Sequence, residues 1–190
     1  MKTKVMHLPK HPKFRDVGPF GEFAILGMDR NAKNGGIGKV VAKVEKAVKP
    51  KVAEYGLDVL FAAGKFDAME DISEKSKLPG LKDYVRMKLS GVNVSDVEKA
   101  AKNDALDVAT AVLHAKDQTA WKRGIDILAK KCAHSRATHD CLQYVCLVST
   151  EPEKANYALG KLPERYLMLV SEHAALPEIR ERATGMCTKA

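Results

Sequence analysis

From Ser95 onward, helix-start signals recur at short intervals, near residues 95, 117, 135, 150, 163 and 177. Ser95-x-x-Glu98 has the form of a capping box, in which a hydroxyl and a carboxylate satisfy the free amides of a first helical turn. Behind it Val97, Ala101, Ala105, Val108 and Val112 recur with the period that keeps residues on one helical face. Asp117 is placed to cap the next helix, where Trp121, Ile125, Leu128 and Cys132 fall in register. Ser135 is placed to cap another, with Ala137, Cys141, Tyr144, Val145 and Val148 as its expected apolar face. Thr150-Glu-Pro-Glu153 reads as a second capping box, and Pro163 and Pro177 stand where two further helices would begin. Starts this close together leave connections of only a few residues, and short connections force antiparallel neighbours. The constraint is strong: the chain from 95 to 187 is all-α.

The core of such a fold has to be assembled from small side chains. Hydrophobic residues make up 45% of the chain but aromatics only 6%, so Ala, Val and Leu must do the packing, and small side chains let helices approach closely. Earlier in the chain, Ile37, Val40, Val41, Val44 and Val48 form one apolar stripe, with Lys39, Lys43, Lys46 and Lys49 off it and Pro50 as its end or kink. A helix over about 51–63 carries Ala53, Leu57, Leu60 and Phe61, with Gly64 as terminator. Short helices are expected over about 67–76 and 79–90. No run of apolar residues reaches the roughly 18 that a membrane span needs.

Residues 1–36 read differently. Prolines 9, 12 and 19 and glycines 18, 21, 27, 35 and 36 interrupt any long helix, and Phe23–Leu26 offers at most a short strand. The segment is expected to be an extended basic arm that orders against another molecule. The expected organisation is therefore an arm over 1–36 and a helical domain over 37–190. The domain is an antiparallel helical array, either paired-helix (HEAT/armadillo-like) or an irregular bundle. Over about 51–187 the pairing resembles paired-helix repeat proteins in architecture, and the interval from 95 to 135 matches their repeat length. That resemblance implies a binding surface, not an activity. No repeat consensus is visible: the echo between Leu57-Asp-Val-Leu60 and Leu106-Asp-Val-Ala109 is too short to define one.

Charge is unevenly placed. The net charge is +8, and residues 1–52 hold 12 Lys/Arg against four acids, so the rest of the chain is neutral. Lys10, Lys13, Arg15, Arg30, Lys33, Lys39, Lys43, Lys46 and Lys49 are the candidate contacts to nucleic acid or an anionic partner. Phe14, Phe20 and Phe23, interleaved with them, suit stacking on unpaired bases. A basic amphipath over 37–49 also suits an anionic lipid surface, although its apolar face lacks the Trp or Phe of interfacial anchors.

Catalytic and metal patterns are thin. Cys132-x-His134-x4-His139-x-Cys141, with Cys146 near, holds zinc-type ligands, but neither a C-x2-C nor an H-x3-H pair occurs. Small core cysteines and turn histidines are the expected reading, and no metal or other cofactor is assigned. Asn34-Gly-Gly-Ile-Gly-Lys39 opens a helix as phosphate loops do. It has Lys33 and Val40 where a nucleotide loop needs glycine and a hydroxyl, so a hinge is expected. The four cysteines, 132, 141, 146 and 187, come without a secretory signal and predict reduced thiols inside a cell, in the cytoplasm or an organelle such as the mitochondrion.

These features favour a non-catalytic interaction or scaffold subunit of a larger assembly. In that reading the helical body docks on other protein subunits and the basic arm threads along them. The alternative is an RNA- or DNA-binding helical-repeat protein that uses its basic N-terminal quarter.

Overall fold

The computed structural model describes residues 8–132 and 136–188. Among them the regular structure is entirely helical: twelve α-helices and one 3₁₀ turn, with no strand. By internal contacts the chain divides into two compact units, residues 1–90 and 91–190. The division falls inside the stretch that the sequence pattern treats as one domain.

Unit 1 contains α1 (Phe14–Lys33), α2 (Ile37–Glu45), α3 (Pro50–Ala62), α4 (Phe66–Lys75) and α5 (Leu81–Leu89). Over Phe14–Lys33 the helix α1 takes the place of the extended arm expected for residues 1–36, and Phe23–Leu26 lies within it. Proline and glycine do interrupt it, but only once. Gly18 leaves helical geometry, with φ +66° and ψ −179°, and Pro19 follows at the start of the longer segment. Proline in a first turn costs no hydrogen bond, so the kink accommodates both residues. The remaining glycines sit at close approaches or at the turn. A side chain at Gly21 would meet Val52 on α3, and Gly35, at φ +72°, supplies the left-handed residue that ends α1. Ile25 and Met28 then join Val40, Val44, Leu57 and Leu60 in the core of this unit.

Gly64 ends α3 as expected, again at φ +72°, with the Lys65 amide bonding back to the Leu60 carbonyl at 2.9 Å. Within the unit each helix packs on the next and on the next but one: α1 on α2 and α3, α2 on α3 and α4, α3 on α4 and α5, and α4 on α5.

Unit 2 contains α6 (Val94–Ala100), α7 (Ala105–His114), α8 (Gln118–Cys132), α9 (Arg136–Val148), α10 (Pro152–Leu159), the 3₁₀ turn Glu164–Tyr166, α11 (Leu167–His173) and α12 (Pro177–Cys187). The continuous stripe from Val97 to Val112 belongs to two helices. Asp104 takes an extended conformation and accepts the Asp107 amide at 2.8 Å, starting α7 afresh. The capping box lies two residues before the expected Ser95/Glu98 pair. It is Asn93 and Asp96, whose side chains and amides bond reciprocally.

Asp117 does cap the next helix, accepting the Ala120 amide at 2.9 Å, and Trp121, Ile125 and Leu128 are buried. On α9 the buried face is Thr138, His139, Leu142, Val145 and Cys146, rotated from the expected one, so that Tyr144 and Val148 face outward. Ser135, the expected cap, lies outside the described residues.

Contacts in unit 2 follow the same rule as in unit 1 from α6 to α10, with α9 meeting α11 and α10 meeting α12. Lys154 on α10 is buried, and its ammonium donates to the carbonyls of Leu113 (3.1 Å) and Ala115 (3.0 Å) at the end of α7. A cation there completes orphan carbonyls and meets the negative end of the helix dipole. No helix among the described residues is long and apolar enough to cross a membrane.

Candidate docking groove

The kink in α1 lies beside a surface groove of unit 1. At Gly18 the helical bonding pattern breaks, leaving the Val17 carbonyl to another donor. Lys49, from the connection into α3, fills that role at 2.8 Å. Lys43 on α2 lays its stem along α1 at Gly27, so closely that a methyl group at Gly27 would fall 3.1 Å from the lysine Cε. Between these two lysines a groove of about 320 Å³ runs between α1 and the α2–α3 connection. Phe20, Gly21, Ala24, Ala47, Val48 and Val52 supply its apolar lining, and Lys43, Lys46 and Lys49 its charge.

The apolar surface continues outside the groove. Phe20 is 89% exposed, Phe23 74% and Val48 85%, with Leu26 half exposed. Phe20, Phe23 and Leu26 fall within an arc of about 120° on α1, opposite the buried Ile25 and Met28. Largely exposed phenylalanines grouped on one helix face are the unusual observation here, since scattered apolar residues need no explanation but a grouped set does.

Of the nine candidate cations, three converge: Lys43, Lys46 and Lys49. Lys10 and Lys13 lie exposed in the segment before α1, and Arg15 is exposed in its first turn, 3.6 Å from Asp16. Arg30 and Lys33 are exposed in the last turn of α1, where positive charge suits the helix dipole, and Lys39 is exposed at the start of α2. The groove depends on α1 being helical. The sequence pattern sets Phe20 among basic residues but does not place it against Lys43, Lys46 and Lys49. Glycine on the buried side of α1 and phenylalanine on the outer side are the signal that was there to find.

The phosphate-loop candidate does not form a nucleotide site. The Asn34–Lys39 segment follows a helix, not a strand, and is a tight turn in which the Gly36 amide bonds to the Asn31 carbonyl at 2.7 Å. It belongs to helix termination and not to a nucleotide loop. Among the described residues no group of three or more His, Cys, Asp or Glu side chains could hold a metal. His139 and Cys141 both sit on α9, and His139 is stacked on Tyr166 at 4.9 Å. His134 and the side chain of Cys132 lie outside the described residues.

Burial pushes the Cys146 thiol up to about 12, and it holds Tyr55 and Tyr84 far above the usual phenol range, with their Asp29 and Asp58 partners adding to the effect. All three are shifted away from use as nucleophile or base near neutral pH. No family model, curated protein or solved structure matches this chain.

Proposed function

We propose that the chain is a non-catalytic interaction subunit of a larger assembly, and that the groove of unit 1 receives an acidic, apolar segment of a partner protein. The observation that carries this reading is Phe20, 89% exposed beside a groove charged by Lys43, Lys46 and Lys49. Covering one such phenylalanine is worth about 2–3 kcal/mol. A carboxylate within reach of the lysines would add selectivity and speed encounter more than it adds affinity. The contact rule within each unit, next helix and next but one, supports the paired-helix form of the fold. Arrays of that kind bind partners along exposed helix faces. The arm is accordingly replaced as the docking element by α1 itself.

RNA or DNA is the second reading, favoured by the same phenylalanines standing beside cations. Protein is preferred because Leu26 and Val48 extend the patch with side chains that have no π-face for a base to stack on. A direct test titrates the full-length protein with two labelled probes of equal charge, an acidic amphipathic peptide and a single-stranded oligonucleotide. The peptide should bind more tightly and lose about tenfold in affinity with Phe20→Ser or Lys46→Glu. Tighter binding of the oligonucleotide, falling steeply with salt, would move the second reading to first place.

A further inference from the structure

Three aspartates of this chain share one local context, glycine–apolar–aspartate: Gly27-Met28-Asp29 on α1, Gly56-Leu57-Asp58 on α3 and Gly124-Ile125-Asp126 on α8. In each the middle residue is fully buried. The aspartate lies one residue further on, about 100° round the helix and at the edge of the packed face. Each aspartate accepts a tyrosine hydroxyl from the helix next but one. Tyr55 on α3 bonds Asp29 at 2.6 Å, Tyr84 on α5 bonds Asp58 at 2.6 Å, and Tyr157 on α10 bonds Asp126 at 3.0 Å.

Each carboxylate also takes one basic side chain as a partner. Lys88 lies 2.8 Å from Asp58 and Lys161 lies 3.4 Å from Asp126. Both lysines stand four residues after their tyrosine, and both pass over its ring, at 5.5 and 5.1 Å. The corresponding residue after Tyr55 is Val59, which is fully buried, so α3 has no cation to offer there. Asp29 is served instead by His11 Nε2 at 2.7 Å, from the segment before α1, with the imidazole edge-on to the Tyr55 ring.

A three-residue pattern recurs by chance in many sequences. The partner geometry does not. Twenty-nine residues separate Asp29 from Asp58, Tyr55 from Tyr84, and the left-handed Gly35 from Gly64. Gly56 and Gly124 play the same part in packing: a Cβ on the first would meet Val44 at 2.2 Å and on the second Val112 at 2.3 Å, each valine twelve residues back on the preceding helix.

We infer that each unit repeats one two-helix element, its helices joined by rungs of aspartate, tyrosine and a basic side chain. His11 is the positioning residue that closes the first rung and so holds the segment bearing Lys10 and Lys13 against unit 1. The inference does not rest on the docking reading, and either can fail alone.

The test uses the full-length protein. Asp29→Asn, Asp58→Asn and Asp126→Asn, each alone and with its Tyr→Phe partner, are unfolded in urea and followed by far-UV circular dichroism. The sole tryptophan, Trp121, reports on unit 2 by fluorescence. Each single variant should lower the folding constant about three- to tenfold, least at the half-exposed Asp126, and the double should be no worse than about twofold beyond the single. Trypsin then reads the first rung. His11→Ala should speed cleavage after Lys10 and Lys13 several-fold. His11→Lys should not, since Pro12 follows and a donor to Asp29 is kept, and Tyr55→Phe should leave the rate unchanged. Additive doubles at any of the three pairs, or equal cleavage of His11→Ala and the parent, would overturn the proposal.

Discussion

The Lys49 ammonium donates a 2.8 Å hydrogen bond to the Val17 carbonyl, joining the entrance of α3 to the point where α1 kinks. The contact gives one lysine of the basic quarter a structural duty beside its place in the groove. Lys49→Met keeps the stem and removes the donor. It should cost about 1 kcal/mol, because the carbonyl is near enough to solvent to recover a partner. Hydrogen exchange should show the loss confined to the first turns of α1; faster exchange throughout unit 1 would mean that the kink is held by something else.

Two glycines in helix interiors should tolerate alanine badly. At Gly56 and Gly124 the added Cβ would overlap Val44 and Val112, well inside contact distance. Helix propensity favours alanine by about 1 kcal/mol, but overpacking of this kind costs about 1–3 kcal/mol or more, so both variants should be destabilised. Gly38 is the control. Nothing lies within 4 Å of its missing Cβ, and Gly38→Ala should stabilise slightly in the same denaturation experiment.

Lys154 is 1% exposed, with the Leu113 and Ala115 carbonyls and Glu151 as partners. Lys154→Met fills the same space and leaves the end of α7 without its donor. Loss of about 2 kcal/mol is expected, read by Trp121 fluorescence during denaturation. No loss would show that water reaches those carbonyls.

Alkaline conditions should weaken the fold. Cys146, ordinarily near 9.0, is pushed up to about 12 by burial, and Tyr55 and Tyr84 are raised above their usual 10.0 by burial and by their aspartates. A group whose proton is held more tightly in the folded state contributes stability below its unfolded pKa and loses it as pH rises through the folded value. The urea midpoint should therefore fall progressively above about pH 9, and Tyr84→Phe should blunt the fall. A midpoint flat to pH 10.5 would contradict these assignments. In the native state at pH 8, exposed Cys187 should alkylate and buried Cys146 should not.

Much of the helical body was legible because its punctuation is local. Asp117, Gly64 and Pro177 mark helix termini through chemistry confined to a turn, and the structure uses them so, whereas Pro50, expected to end or kink the helix before it, opens α3, and α2 stops earlier at Glu45. Where two signals competed, periodicity misled. The stripe from Val97 to Val112 hid the break at Asp104, and on α9 the large Tyr144 and Val148 outweighed Thr138 and His139, which are the buried ones. The helix α1 was missed for a different reason. Gly21 and Gly27 look like breakers until α3 and Lys43 are placed against them, and close approach by another element cannot be seen in a single window of sequence. The rungs escaped for the same reason, since a tyrosine 26 or 31 residues from its aspartate leaves no local trace.

The account turns on whether unit 1 meets a protein at Phe20. A photo-crosslinking side chain placed at position 20 of the full-length protein, irradiated in native lysate, tests this directly, with position 87 (Met87, 64% exposed) as the surface control. The account predicts a defined protein adduct at position 20 that survives nuclease, is absent from position 87, and disappears when Lys43 and Lys46 become Glu. An adduct lost to nuclease, or one no different from the control, would contradict it.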